Sequence, residues 1–414
     1  MSDYCSQGAS GLLTVEQAST AIHASLSPIT GHEQVILKQA IGRILAETVF
    51  ASINLPHFRN AAMDGYAVNS RDLDTVAAKS LKLTGTAWAG RPFQAMLNAG
   101  ECVRIFTGAP VPDGADRVIM QEQVQKNADE ILFPGNLQTA KNIREIGEDI
   151  RKGATLLNAR KKLTAFDISL LAAAGIHSVT VKRKLNIAFF STGDELTSVG
   201  EQLEPGEIYD SNRYTLSGLL NEPLYDAVDL GVIRDNKEQL RTTLCECAEI
   251  YDVIISTGGA SVGDADFIQE ILAEIGTVNF WKIAMKPGKP LAYGKIGQCL
   301  FFGLPGNPVS VIATLQQLVR PALLQLAGGG LVKTLRLRAR AGSSLSKTAG
   351  RQEFQRGILE QDNHGELVVE SAGNQGSHIL STISRANCFI ILPATCAGVQ
   401  AGEWVEIEPF NFQN

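Results

Sequence analysis

Between Tyr251 and Pro308 the chain alternates short β-branched runs with glycine loops, and this alternation limits the possible fold more than any other feature. Asp252-Val-Ile-Ile-Ser256 is apolar, short and followed by Thr257-Gly258-Gly259, as expected of a strand buried on both faces of a parallel sheet. Phe267, Ile268, Ile271, Leu272 and Ile275 then recur with a helical period, which puts Asp266 in the first turn of a helix. Two further loops lie close by, Lys286-Pro-Gly-Lys289 and Gly303-Leu-Pro-Gly-Asn-Pro308, the second between a strand over Cys299–Phe302 and a long apolar helix. Backbone N–H groups at a helix start favour an anion, and glycines let the main chain approach it closely. A single glycine loop is as readily a plain tight turn. These three together carry Lys286, Lys289 and Asp266, and they point to a polar ligand bearing phosphate.

The alternation runs from Leu185 to Ala327: Ile187–Phe190, a helix near Arg213–Leu220, Ala227–Ile233, a helix over Lys237–Ile250, Val253–Ser256, a helix over Asp266–Ile275, Cys299–Phe302 and a helix over Val309–Leu326. Strands and helices of these lengths predict an α/β domain with a doubly wound parallel sheet, covered on both faces. Upstream, Thr14–Leu26 suits an amphipathic helix, and Glu33–Phe50 a strand followed by a short helix around Ile41–Leu45. Residues 51–147 turn to Gly, Pro and short apolar segments (Lys79–Gly85, Glu101–Phe106, Arg117–Gln121, Glu130–Phe133), the texture of a small β-rich domain. Helical character returns at Leu163-Thr-Ala-Phe-Asp167, a capping-box-like start, and stops at Gly175. The expected organisation is a helical connecting domain over 1–50 and 148–184, interrupted by the β-rich domain 51–147, then the α/β domain 185–327. Beyond the linker Gly328-Gly-Gly330, short strands over 331–414 predict a small C-terminal domain, a β-barrel or a sandwich.

A chain of 414 residues exceeds one ordinary core. A net charge of −6 with 19% charged residues argues against a general nucleic-acid or membrane-surface binder. The seven cysteines form no Cys-x-x-Cys pair, as in a reduced cytosolic protein. Histidines are dispersed too, so a bound metal should be a hard ion held by oxygens. Met1–Gln7 shows no basic leader before an apolar core, and the charge-free run Gln298–Val319 is broken by its Gly-Leu-Pro-Gly-Asn-Pro turn. These features lead to the expectation of a soluble, cytoplasmic protein.

In a doubly wound sheet the ligand lies beyond the carboxyl ends of the strands. The residues that follow those ends are Ser191-Thr-Gly-Asp-Glu195, Arg234-Asp235, the glycines leading to Asp266, and Gly303–Pro308. Each of Asp194, Asp235 and Asp266 can be read as a helix cap contributing ~1 kcal/mol. Together they repel one another, and a rim of acids makes more sense around a cation. Lys282, Lys286 and Lys289 bring the opposite charge. Outside this domain, Asn60-Ala-Ala-Met-Asp64-Gly-Tyr-Ala67 and Arg144-Glu-Ile-Gly-Glu-Asp149 put acids at the entry and exit of the β-rich domain, where solvated turns are the alternative. Phe106–Pro112, which contains Thr107, reads by itself as a turn, and Arg351–Arg356 as a basic strand face. A nucleophile triad does not fit, because no histidine lies near a Gly-x-Ser-x-Gly-like turn.

With these residues set out, the chain resembles the molybdopterin molybdenumtransferase family, represented by MoeA and the E domain of gephyrin. The resemblance rests on Ala62-Met-Asp-Gly-Tyr-Ala67, Thr107–Pro112, Gly147-Glu-Asp149, Ser191–Leu196, Tyr209–Arg213, Gly258–Gly263 with Asp266, Lys286–Pro290, Gly303–Pro308 and Gln375-Gly-Ser-His378. It implies a four-domain, elongated homodimer that inserts molybdate into adenylylated molybdopterin and releases AMP with Mg²⁺ assistance. The family's functional acids fall on Asp64, Asp149, Glu195, Asp235 and Asp266, and its basic residues on Lys282, Lys286 and Arg356. Asp64, Asp149, Glu195 and Asp235 would be metal ligands. The molybdopterin contacts would come from Thr107, Gly258, Gly259, Ser261, Gly263, Asp266, Lys286, Lys289, Pro305, Gly306, Asn307 and Pro308. Arg144-Glu145-Ile146 departs from relatives, which carry further basic residues there. Two other functions stay open at this point, a gephyrin-like peptide-binding scaffold and the adenylyltransferase of the preceding step; the latter is also a possible protein partner.

Overall fold

The computed structural model describes residues 12–73, 76–135, 137, 140–258, 267–330 and 334–410. Asp266, Gly259, Ser261 and Gly263 lie outside the described residues. At the centre is a six-stranded sheet in the order Tyr225–Ile233, Leu185–Thr192, Val253–Thr257, Cys299–Leu304, Pro290–Ile296, Thr277–Lys282. The first four strands are parallel to one another, and the last two add an antiparallel extension at one edge. That extension was not anticipated, because the lysine loop interrupts the apolar pattern between its two strands. Side chains alternate across the sheet. Ile187 and Phe189 enter one core with the helices Val15–Ser25 and Pro308–Leu326, whereas Ala188 and Phe190 enter the other with Lys237–Ile250 and Phe267–Ile275. Burying each such phenylalanine stabilises the fold by about 1.5–3 kcal/mol. Phe302→Ala alone would therefore remove about 3–5 kcal/mol.

Pro308–Leu326 is long and apolar enough to cross a membrane, but most of it is buried as a core helix of this domain. It contains a π-helical stretch over Leu315–Val319, just before Pro321, which has no N–H to donate.

The entry and exit of the β-rich insertion are paired segment by segment: His32–Ile36 with Ser178–Lys182, Val49–Phe50 with Thr155–Leu157, and Asn60–Ala61 with Ile143–Arg144. Chain that leaves the connecting unit is thereby returned to it. The helix Ala165–Ala173 starts at Thr164 with a reciprocal capping box to Asp167, and Gly175 follows its end at φ +74°. The short helix expected at Ile41–Leu45 lies earlier, at Leu37–Ala40. Gly42 at φ +76° turns the chain, and Ile44 and Leu45 then bridge to Lys162 and Val181.

Residues 337–409 form a five-stranded barrel, closed by Gln352–Gln361 pairing with both Leu367–Ser371 and Cys388–Leu392. A short helix, Leu380–Arg385, precedes the last of these strands. The barrel is tied to the α/β domain by main chain, since Met285–Lys286 pairs in parallel with Gln352–Glu353. The thiols of Cys102, Cys299 and Cys388 are pushed up to about 12 by burial, and the cysteines of the described residues are free.

Candidate functional site

A cavity of about 650 Å³ opens beyond the carboxyl ends of the parallel strands, where the α/β domain meets the barrel. Glu195 and Asp235 line it together with Lys286 and Lys289, and Pro305-Gly306-Asn307 and Gly258 add main chain from the ends of the strands. The barrel contributes Arg351, Gln375, Gly376 and Ser377.

Local chemistry explains the loop shapes. Gly258 has φ +86°, and a Cβ there would meet Thr192 O at 2.4 Å. Gly288, at φ +103°, leaves no more room: a Cβ would come within 2.6 Å of Thr314 Oγ1. Asn212 holds the Gly306 carbonyl from outside through an Nδ2–H donor at 2.7 Å. Asp210, buried, accepts from the backbone N–H groups of Asn212 and Arg213 and so sets the first turn of that helix. Two strand ends are tied as well, because Thr192 Oγ1 donates to Asp235 Oδ1 at 2.6 Å. The Asp235 N–H in turn donates to Asp194 Oδ1 at 3.2 Å, so Asp194 acts as a loop brace.

The helix beginning at Pro308 differs from the expectation of a free anion-binding start. Pro308 has no N–H, and the Val309 N–H donates to Ser377 O at 3.1 Å. This helix start binds the barrel loop, and the turn before it lines the cavity.

Residues 13–175 match the MoeA N-terminal region (domain I and II), 188–325 a probable molybdopterin binding domain, and 338–410 the MoeA C-terminal region (domain IV). Over 402 residues the chain is 44% identical to the molybdopterin molybdenumtransferase of Haemophilus influenzae, covering 97% of this chain and 99% of that one. The chain belongs to the molybdopterin molybdenumtransferase family. The corresponding protein of Bacillus subtilis is 31% identical, with 91% of this chain and 89% of that protein covered. Gephyrin of Dictyostelium discoideum is 33% identical over 92% of this chain and 60% of its own length. Among solved structures, a molybdopterin biosynthesis MoeA protein of Pyrococcus horikoshii superposes with a TM-score of 0.84 at 28% identity, over 96% of this chain and 100% of that one.

Within this family member, the residues singled out from the sequence divide into groups. Glu195, Asp235, Gly258, Lys286, Lys289, Pro305, Gly306 and Asn307 line one cavity. Lys282 ends the edge strand and is exposed, outside the lining. Asp64 and Thr107 lie together in the β-rich insertion, with the Thr107 N–H and hydroxyl both donating to Asp64 Oδ1 at 2.7 Å. The backbone donor is the larger cause of a carboxyl held below its usual range. Asp149 is exposed in the loop leaving the insertion. Neither acid lines the cavity of its own chain.

Arg356 sits at 0% exposure inside the barrel instead of on a basic strand face. Its guanidinium donates to the carbonyls of Asn374, Gln375 and Gly376 and to Thr382 Oγ1. Burial pushes it down to about 10, still far above neutrality, so it stays charged. Its reach is to the loop that lines the cavity. Thr192, Asn212, Ser310 and Glu353 lie within segments quoted from the sequence but are not singled out there as site residues. Thr192 had a local signal in its place directly after an apolar strand, and Asn212 in the Tyr209–Arg213 motif.

Proposed function

We propose that the chain is the enzyme that inserts molybdate into adenylylated molybdopterin, with release of AMP, in molybdenum cofactor synthesis. The observation that carries this reading is the pairing of two carboxylates, Glu195 and Asp235, with two ammonium groups, Lys286 and Lys289, around one cavity at the strand ends. Acids beside cations suit a ligand that brings both phosphate and a divalent ion.

Mg²⁺ fits the donor set. No three His, Cys, Asp or Glu side chains converge on a metal position among the described residues. Mg²⁺ is commonly held by one or two carboxylates plus substrate phosphate oxygens. Glu195 and Asp235 would hold it, and the ion supplies charge stabilisation at the phosphoanhydride. Thr192 orients the Asp235 carboxylate, while Lys286, Lys289 and Arg351 offset phosphate and molybdate charge. Gly258 and the Pro305–Asn307 turn let the pterin approach the main chain, and Asp266 and Lys282 are further functional residues by the family resemblance.

Asp64 and Asp149 join the reaction from a second subunit. An elongated homodimer, with the insertion of one copy over the α/β domain of the other, accounts for functional acids that do not line their own chain's cavity. The cytoplasm is the compartment consistent with the free thiols of the described residues, and the adenylyltransferase of the preceding step is a natural partner for substrate transfer.

The test is direct. Purified protein given intact adenylylated molybdopterin, molybdate and Mg²⁺ should release AMP and yield cofactor that activates an apo-molybdoenzyme. No AMP and no activation from verified substrate would reject the assignment.

A further inference from the structure

Glu353 lies on the barrel strand Gln352–Gln361 and is 3% exposed. One of its oxygens faces Lys286 Nζ at 3.1 Å, and the other accepts from Gln355 Nε2 at 2.9 Å. Gln355 is itself buried and spends the same amide on Ser346 O at 2.9 Å. Main chain brings the two partners together, since Lys286 stands opposite Glu353 in the parallel pairing and the Gln352 N–H donates to Ala284 O at 2.9 Å.

A carboxylate so far out of water needs a charged or hydrogen-bonding partner for each oxygen. Here the cation comes from another domain. The Lys286 side chain remains 46% exposed and borders the cavity, so it is gripped from behind and open in front. An ammonium has three donors, and one spent on Glu353 leaves two for a ligand. An unheld lysine would spread that charge over many rotamers.

We infer that Glu353 is a positioning residue: it holds the Lys286 ammonium against the cavity wall, so that the barrel sets where positive charge meets an oxyanion-bearing ligand. Arg356, three residues along the same strand, donates to the Gln375 and Gly376 carbonyls of another segment that lines the cavity. One strand thereby holds two parts of the cavity lining. The ligand half of the inference rests on the function proposed above, whereas the ion pair does not.

The experiment uses the full chain as wild type, Glu353→Gln, Glu353→Asp, Lys286→Met and the double variant Glu353→Gln/Lys286→Met. Acetylation of Lys286 is followed by mass spectrometry with Lys289 as internal reference, and AMP affinity is measured by calorimetry. In Glu353→Gln, Lys286 should acetylate several-fold faster with Lys289 unchanged, and AMP binding should weaken about tenfold, no further in the double variant than in Lys286→Met. Glu353→Asp, which keeps the charge, should lie between and should restore part of the affinity. Equal Lys286 labelling in wild type and Glu353→Gln, or losses of affinity that simply add, would overturn the inference. If Glu353→Gln does not fold, Lys286 labelling in Glu353→Asp at the wild-type rate overturns it instead. Faster Lys286 labelling in a protein whose wild type ignores AMP would uphold the positioning role and reject the nucleotide reading.

Discussion

The hydroxyl of Thr192 donates to Oδ1 of Asp235 at 2.6 Å and so joins the ends of two neighbouring parallel strands, Leu185–Thr192 and Tyr225–Ile233. A carboxylate held this way enters the cavity in a defined rotamer. Thr192→Val keeps the shape of the buried side chain and removes the donor, a hydrogen bond to a charged group worth about 1.5–3 kcal/mol. AMP release should fall about tenfold with the fold intact by circular dichroism. Unchanged turnover would mean that Asp235 needs no such brace.

The Asp64–Thr107 contact of the insertion gives a pH prediction. Thr107 holds the Asp64 carboxyl below its usual range, first through its backbone N–H and then through its hydroxyl. A depressed value means that the interaction is complete above the ordinary carboxyl value, ~3.9, and is lost as pH falls through the depressed one. Carboxyl NMR should find the Asp64 midpoint below that ordinary value, and Thr107→Val should raise it partway because the backbone donor remains. Identical midpoints in the two proteins would count against the hydroxyl contact.

Glu408 behaves in the opposite sense. It is 2% exposed, and burial raises its value despite the Gln317 Nε2 donor at 2.7 Å. A raised acid favours folding in its neutral form, so stability is lost as pH rises from the ordinary carboxyl value through the raised one. Glu408→Gln should therefore stabilise the protein at pH 7 by on the order of 1 kcal/mol, with the advantage shrinking as pH is lowered. Thermal melts across pH test this, and a variant less stable at pH 7 would refute it.

The divalent ion proposed above gives a further prediction. Exhaustive chelation should stop AMP release, Mg²⁺ should restore it, and Glu195→Gln should raise the Mg²⁺ concentration needed by about tenfold or more. Full turnover in chelator would show that Glu195 and Asp235 hold no ion.

The proposed sharing of the site between subunits makes a sharper demand. Asp64→Asn and Asp235→Asn should each be inactive as pure dimers. Mixed dimers would carry one site with both lesions and one with neither, so random mixing should recover about a quarter of wild-type turnover. Verified mixed dimers that stay inactive would place both acids in one subunit's site.

Local sequence by itself determined most of the elements between Leu185 and Leu326 and the residues at the strand ends. The helix Lys237–Ile250 and the strand Glu130–Phe133 occur where their apolar spacing predicts them, and the Thr164/Asp167 capping box starts its helix as read. The acids and lysines after the strands were legible for the same reason, because a parallel sheet delivers every strand end to one rim. Tertiary structure decided what touches across domains. No spacing along the chain reveals that Glu353 reaches Lys286, or that Asn212 holds Gly306, since those pairs are made by strand pairing and packing between segments distant in sequence. Arg356 shows the same limit: a charge read from sequence as surface lies at 0% exposure because the barrel closes around it and backbone carbonyls, which carry no residue identity, satisfy its donors.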